Sequence, residues 1–469
     1  MDELQHILQT RFGYKDFREG QKEIIEKVLA GEDVVAILPT GMGKSLLFQL
    51  PAYLKNGAVL IVSPLLSLMQ DQVEQLKMMG EKRVVAINSF LSFEQREKAL
   101  SGLQNYKFIF TSPEMLQNER FQRRLASLNL AFIVADEAHC ISQWGFDFRP
   151  DYLRISESLK SLRKANVLAL TATATKEVVK DIKTTLLMEQ PFEYIHSLDR
   201  PYIAYEAHEV ESQKEKVEWI LNRITSTTGP GILYSQSRKK TEFYTEELQK
   251  KGIRVAYYHS KMDQDDRILI QQQFQQGHLD WICATNAFGM GIHKDNIRQI
   301  IHDHIPTSVA NYMQEVGRAG RDGKQSIASI LYMLSDVEQA YFVAMQDFPD
   351  EQDIILAYQT NENQVQLSET TERILDYWKM VLSTEETIEL FKNIRQKKWI
   401  EIQSLYTLLQ NENCIREQVI AYFDQKLIDK PLNCCSKCSL NLQELFHLHD
   451  KPLIHATVLD WKSRLGSIL

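Results

Sequence analysis

The run Val34-Val35-Ala36-Ile37-Leu38-Pro39-Thr40-Gly41-Met42-Gly43-Lys44-Ser45 carries an apolar stretch into a Gly-rich turn, and a helix-like segment follows. Strand, turn and helix in that order make a phosphate-binding loop. Glycines let successive backbone N–H groups turn inward as an anion nest, and the helix N-terminus adds its partial positive charge. Thr40, Gly41, Met42 and Gly43 form the cradle, Lys44 reaches the outer phosphates of a nucleoside triphosphate, and Ser45 offers its hydroxyl to Mg2+. Leu38 stands where the full pattern asks for Gly.

A second apolar run, residues 130–135, ends in Asp136-Glu137-Ala138-His139 and delivers two carboxylates at the C-terminal edge of a buried strand, where open parallel sheets bind ligands. Asp136 suits Mg2+ coordination beside Ser45, and Glu137 suits orienting and deprotonating an attacking water. Phosphoryl transfer then needs a cation for its transition state. Gln314-Glu315-Val316-Gly317-Arg318-Ala319-Gly320-Arg321-Asp322-Gly323 offers two arginines that share a face if the segment is helical. Either can serve as an arginine finger, with Arg321 preferred. An exposed, salt-bridged helix is the competing reading of that segment.

At 469 residues the chain exceeds one core and should divide into two or three domains, and its 44% apolar content marks it as globular. No apolar run approaches the roughly 20 residues of a membrane span. Met1-Asp2-Glu3-Leu4-Gln5-His6 lacks the basic and apolar regions of a signal peptide, so a cytoplasmic protein without a membrane partner is expected. The net charge of −8 argues against an overall electrostatic grip on nucleic acid, while 54 Lys and Arg leave room for a local basic groove. Cys140 and Cys283 stand alone and read as core residues. Cys414, Cys434, Cys435 and Cys438 form a C-terminal group that, in a reducing compartment, reads as four thiolate ligands of tetrahedral Zn2+ rather than as disulfides, with free or partly free thiols as the competing reading.

Short β-rich runs at 34–38, 58–62, 84–87, 107–110, 130–134 and 167–170 alternate with helix-like segments, the pattern of a parallel sheet covered by helices on both faces. Leu198-Asp199-Arg200-Pro201 looks like a linker, after which 231–234, 254–258, 281–284 and 299–302 begin a second alternating series. Residues 336–423 become helical, with apolar positions at three- and four-residue spacing. The expected division is 1–198, 199–335, a helical zinc-binding subdomain over 336–440, and a short tail over 441–469.

With these motifs in hand, the chain resembles the RecQ family of superfamily 2 DEAH-box DNA helicases from about residue 12 to residue 438. The resemblance implies an α/β fold of two tandem RecA-like parallel-sheet lobes followed by the zinc-binding helices. Phe12-Gly13-Tyr14-Lys15-Asp16-Phe17-Arg18-Glu19-Gly20-Gln21 looks like the family's adenine-recognition motif, in which Gln21 would hydrogen-bond the adenine edge, Tyr14 would stack and Arg18 would fix the geometry. A helix N-terminus with core aromatics is the competing reading. Cys140-Ile141-Ser142-Gln143-Trp144-Gly145-Phe146-Asp147-Phe148-Arg149-Pro150 is similar to the family's aromatic-rich loop. Bases can stack on such rings, and a loop attached to Glu137 can report that stacking to the hydrolytic site. The alternation of Trp144, Phe146 and Phe148 would also suit a half-buried strand, but Gly145, Asp147 and Pro150 disfavour one.

Ser63-Pro64-Leu65, Gln70-Asp71-Gln72, Thr111-Ser112-Pro113-Glu114 and Thr171-Ala172-Thr173 look like first-lobe nucleic-acid and coupling motifs. Tyr234-Ser235 with Arg238, Tyr258-His259-Ser260, and Ala284-Thr285 with Phe288-Gly289-Met290-Gly291-Ile292 resemble those of the second lobe. Ser63, Trp144, Phe146, Phe148, Arg149, Tyr258, His259 and Thr285 are thus the nucleic-acid candidates. Asn286 and His293 depart from the family pattern, and the Cys-Cys-x-x-Cys arrangement matches the zinc site of some members. Only 31 residues follow Cys438, so a short form without the winged-helix and further C-terminal helical domains is expected, with an extra helical stretch over 366–409.

The combined reading is an ATP-dependent DNA helicase. ATP would bind between two lobes through Lys44, Ser45, Asp136 and Gln21, with Arg318 and Arg321 sensing the γ-phosphate. By the resemblance, the chain would translocate 3′ to 5′ on single-stranded DNA and unwind tailed or forked duplexes in recombination, repair or replication. Single-strand-binding protein and other repair proteins are candidate partners. Alternatives are a DNA-stimulated translocase without independent unwinding, an RNA helicase, and a non-catalytic DNA-binding scaffold.

Overall fold

Strands separated from one another by helices have no tight turn available and pair parallel. The computed structural model, which describes residues 3–64, 66–88, 91–142, 152, 154–162, 165–289, 294–359 and 367–446, shows two such sheets. The first contains β1 (Val34–Ile37), β2 (Ala58–Val62), β3 (Val84–Ile87), β4 (Phe108–Thr111), β5 (Leu130–Ala135), β6 (Val167–Thr171) and β7 (Phe192–Ile195). Its order is β3-β4-β2-β5-β6-β1-β7, parallel throughout. The second contains β8 (Ile203–Glu209), β9 (Gly231–Tyr234), β10 (Val255–Tyr258), β11 (Trp281–Ala284), β12 (Gln299–His302) and β13 (Ser326–Tyr332), in the order β10-β11-β9-β12-β13-β8 and again parallel. This is the expected α/β architecture of two RecA-like lobes.

Successive residues of a strand point to opposite faces, so each apolar run feeds two cores. In β5, Phe132 and Val134 enter one core of the first sheet, and Ile133 and Ala135 enter the other. The described residues divide into two compact units, one comprising those within 1–198, 345–397 and 423–425, the other those within 199–344, 398–422 and 426–446. Within the first unit, Phe348, Ile354, Ile374, Leu375, Trp378, Phe391 and Ile394 form a helical core of their own. Much of the extra stretch is therefore packed helix, over Glu369–Lys379 and Thr384–Gln410.

Three strands escaped the sequence reading, each for a physical reason. β7 alternates partly buried and exposed residues at a sheet edge. β8 carries Glu206 in its buried half, a residue type that disfavours strands. Arg223 at 2.9 Å and the Ser329 hydroxyl at 2.6 Å satisfy that carboxylate. β13 is interrupted by Ser326 and Ser329, both buried. Among the described residues, no helix is long and apolar enough to cross a membrane.

Candidate active site

Three adjacent strands deliver the hydrolytic residues from their C-terminal ends. The order β5-β6-β1 leaves β6 between the strand that enters the phosphate loop and the strand that ends at Asp136. At about 4.8 Å per strand, the two backbones are roughly 10 Å apart, a distance one lysine can bridge. Lys44 Nζ lies 3.4 Å from Glu137 Oε1, with side chains 15% and 9% exposed. Incoming phosphates therefore compete with Glu137 for the ammonium.

The loop itself is held open by two left-handed glycines, Gly41 at φ 92° and Gly43 at φ 77°. Leu38 N donates to Thr171 O at 3.0 Å, extending the β1–β6 ladder to the loop's first turn. Ser45 stands before the helix Leu46–Leu54 without making a side-chain cap bond, which leaves its hydroxyl for a cation. Gln21 ties the upstream motif to the loop: its Nε2 donates to Met42 O at 2.8 Å, and its Oε1 accepts from Arg18 N at 2.9 Å. Its Nε2 also reaches Gly43 O at 3.5 Å, the longer of the two contacts, so an adenine edge would take that weaker donor position and the second acceptor position of Oε1. The Arg18 guanidinium donates to Gly41 O, and Tyr14 presents its ring at 56% exposure.

Asp136 is 4% exposed. Its Oδ1 accepts from Glu137 N at 3.0 Å, and its Oδ2 accepts from Gln72 Nε2 at 3.4 Å. Burial, and then the neighbouring Glu137 charge, push its pKa up to about 6 against the pull of Lys44. A cation at this carboxylate would relieve both effects. Glu137 adopts φ 47°, ψ 48°, a left-handed conformation costly for a non-glycine residue. That turn aims its carboxylate back at Lys44 and His139, whose Nδ1 is 3.4 Å from Glu137 Oε2.

His139 links this pair to the next strand. The Thr171 hydroxyl lies 3.0 Å from Thr173 O, to which it donates, and 2.9 Å from His139 Nδ1. A proton on Nδ1 suits that arrangement, and burial lowers the ring's pKa, keeping it neutral. Sequence reasoning had marked the segments of Gln72, His139 and Thr171 without giving these residues roles. It missed Tyr152 altogether, whose hydroxyl donates to Asp136 O at 2.7 Å and which had no motif to signal it.

Among the nucleic-acid candidates, Ser63 follows β2, is 1% exposed, and has no partner for its hydroxyl among the described residues. Trp144, Phe146, Phe148 and Arg149 lie outside the described residues, as do Met290, Gly291, Ile292 and His293. In the second unit, Thr285 N donates to Tyr258 O at 3.1 Å, and His259 follows directly, its Nε2 at 3.2 Å from Glu242 Oε1. These three candidates gather at the C-terminal ends of β10 and β11.

Arg318 and Arg321 are also brought together, though not by a helix. The helix Val309–Val316 ends at Gly317, and Gly320 at φ 60° turns the chain through a space where Ser326 Oγ would meet a Cβ at 2.6 Å. Arg318 is 4% exposed, and its guanidinium donates to Gly289 O. Burial, then the charges of Arg318 and Arg200, push the Arg321 pKa down to about 10, against the pull of Asp295.

The sulfurs of Cys414, Cys434, Cys435 and Cys438 lie within 4.8 Å of one another. Cys414 Sγ is 3.6 Å from Cys434 Sγ and 3.9 Å from Cys435 Sγ. Four thiolates at 2.3 Å from one tetrahedral Zn2+ would be about 3.8 Å apart, so the donor set fits that metal. The adjacent cysteines are anchored to β8, with Tyr205 N donating to Cys434 O at 3.1 Å and Ser436 N to Tyr205 O at 2.8 Å.

Residues 18–182 match the DEAD/DEAH box helicase family, and residues 215–323 match the helicase conserved C-terminal domain. The chain is 40% identical to the probable ATP-dependent DNA helicase RecS of Bacillus subtilis, in an alignment covering 100% of this chain and 98% of that protein. It is also 40% identical to the ATP-dependent DNA helicase RecQ of Haemophilus influenzae, over 70% of this chain but only 53% of that longer protein. The solved structure of Mycobacterium smegmatis helicase Lhr bound to ssDNA and AMP-PNP aligns with a TM-score of 0.57 at 20% identity, over 76% of this chain and 52% of that one, a likeness of fold. With the near-complete match to RecS and the RecQ match over 70% of its length, the chain belongs to the RecQ family of ATP-dependent DNA helicases.

Proposed function

We propose that the chain hydrolyses ATP to move 3′ to 5′ along single-stranded DNA and to unwind tailed or forked duplexes, in the cytoplasm, in recombination, repair or replication. The observation that carries the hydrolytic part is the convergence of Lys44, Asp136 and Glu137 at the C-terminal edge of β1, β6 and β5. Lys44 binds the outer phosphates, while Ser45 and Asp136 hold Mg2+, which when bound neutralises phosphate charge. Glu137, aimed by its left-handed turn, orients the attacking water and takes its proton. Arg318 and Arg321 supply positive charge to the transition state. Thr40, Gly41, Met42 and Gly43 cradle the phosphates, and Gln21, Arg18 and Tyr14 select adenine.

Ser63, Tyr258, His259 and Thr285 grip the DNA backbone, and Trp144, Phe146, Phe148 and Arg149 read its bases by stacking and charge. The four cysteines hold a structural zinc that ties the C-terminal segment to β8. Single-strand-binding and other repair proteins are the proposed partners.

Steady-state ATPase with no nucleic acid, single-stranded DNA, duplex DNA and single-stranded RNA tests the substrate, alongside unwinding of 3′- and 5′-tailed duplexes. Stimulation by single-stranded DNA with unwinding of the 3′-tailed duplex is expected. Stimulation by RNA alone, or unwinding only from a 5′ tail, would overturn the proposal.

A further inference from the structure

Within the second unit, a buried circuit runs between the turn that carries Thr285 and the segment that carries Arg318. Tyr234, fully buried at the end of β9, donates its hydroxyl to Phe288 O at 2.8 Å. Its ring stacks on His302 of the neighbouring β12, with centroids 5.3 Å apart and planes inclined by 21°. His302 Nε2 lies 2.8 Å from Glu315 Oε2, and Arg318 N donates to Glu315 O at 3.2 Å. The Arg318 guanidinium then donates to Gly289 O, one residue beyond Phe288, and the circuit closes.

The turn at residues 285–289 has its other end at the nucleic-acid candidates Thr285 and Tyr258. Phe288 N donates to Thr285 O at 3.0 Å, and Thr285 N to Tyr258 O at 3.1 Å. Five residues thus carry both a nucleic-acid candidate and the carbonyl on which Arg318 rests. Burial raises the Tyr234 ionisation well above that of an ordinary phenol, against the pull of Arg318, so the hydroxyl remains a donor. Without that bond the Phe288 carbonyl would be a buried acceptor lacking its phenol, and the turn would settle elsewhere. A displaced guanidinium stabilises developing charge poorly, because such stabilisation depends on donors being placed in advance.

We propose that Tyr234 is a positioning residue that couples DNA engagement at Thr285 to the placement of the Arg318 guanidinium, by clamping the intervening turn. The inference rests on the reading of Arg318 as a transition-state cation. A purely structural role would lower stability and leave turnover untouched, so kinetics separate the two.

The test uses the full chain carrying Y234F, R318K, R318A or Y234F with R318K, in ATPase assays saturated with oligo-dT. Y234F deletes one oxygen and retains the stack. It is expected to lower DNA-stimulated kcat about five-fold, with the ATP KM and the oligo-dT affinity within about twofold of wild type. In the R318K background, Y234F should cause no further loss, because the residue acts through that guanidinium. Wild-type kcat in Y234F, or a loss that persists undiminished beside R318K, overturns the proposal. Wild-type hydrolysis by R318A would instead overturn the reading of Arg318, whatever Y234F does. Should Y234F not fold, H302Q serves in its place, since glutamine keeps a donor for Glu315 and removes the ring stacked on Tyr234. An unchanged kcat in H302Q then overturns the proposal equally.

Discussion

Replacing Asp136 with asparagine should make the nucleotide-free protein more stable while abolishing its ATPase. The Asp136 pKa stands at about 6 against an ordinary 3.8, a rise of 6 − 3.8 = 2.2. At 1.36 kcal/mol per pKa unit, the buried charge costs about 3 kcal/mol of folding stability when ionised. The sign follows from linkage. The folded state binds this proton more tightly than the unfolded state, so the cost is absent below the unfolded value, grows between the two pKa values, and is complete above the folded one. The cost should therefore be largest at pH 8, smaller at pH 5 and nearly gone by pH 4.

Asparagine keeps an Oδ1 for Glu137 N, and the Gln72 amide can turn its Oε1, which has no partner among the described residues, toward the new NH2 group. Urea denaturation with EDTA, at pH 8 and pH 5, measures the difference between variant and wild type. An Asp136→Asn protein no more stable than wild type at pH 8, or more stable by the same amount at both pH values, would refute the reasoning. Adding Mg2+ and ATP should reverse the ranking, because only the carboxylate gains a cation.

Glu137→Gln should lower DNA-stimulated hydrolysis by about 10²–10⁴ while retaining ATP affinity, measured by nucleotide titration beside turnover. Gly43→Ala combines φ 77° with a Cβ only 2.7 Å from Gln21 Nε2, so the ATP KM should rise about tenfold as the loop and its Gln21 tie shift apart. Lys216→Met leaves Asp336, 2.6 Å away and equally buried, without its cation, and should cost about 3–5 kcal/mol in urea unfolding. Elemental analysis should find about one zinc per chain, and Cys435→Ser should lose it and loosen β8, read as faster amide exchange at Tyr205.

Much of the first sheet and the placement of its candidate residues was legible because the signals are local. A glycine-rich turn after an apolar run, and two acids after another, specify their own conformations and their place at a sheet edge. Illegible were features that depend on what lies opposite. Glu206 makes β8 look unlike a strand until Arg223 and Ser329 are seen to satisfy it. Arg318 and Arg321 fit a helical spacing, yet Gly317 ends the helix and a turn gathers them instead. Tyr152 and Tyr234 place hydroxyl bonds on carbonyls 16 and 54 residues away, and no spacing rule carries that information.

The strand order of the first sheet also sets a schedule for synthesis. β1 pairs only with β6 and β7, and Ile37 meets its partner Thr171 after 171 − 37 = 134 further residues. At about 5–20 residues per second, the strand that carries the phosphate loop leaves the ribosome roughly 7–27 s before that partner is made. Until then Val34, Val35, Ala36, Ile37 and Leu38 form an apolar, β-prone run with both edges open, the kind of segment that chaperones bind and aggregates recruit. Slower elongation between β5 and β6 would lengthen that exposure, so synonymous codon changes over residues 136–166 should alter the yield of active protein without altering the protein.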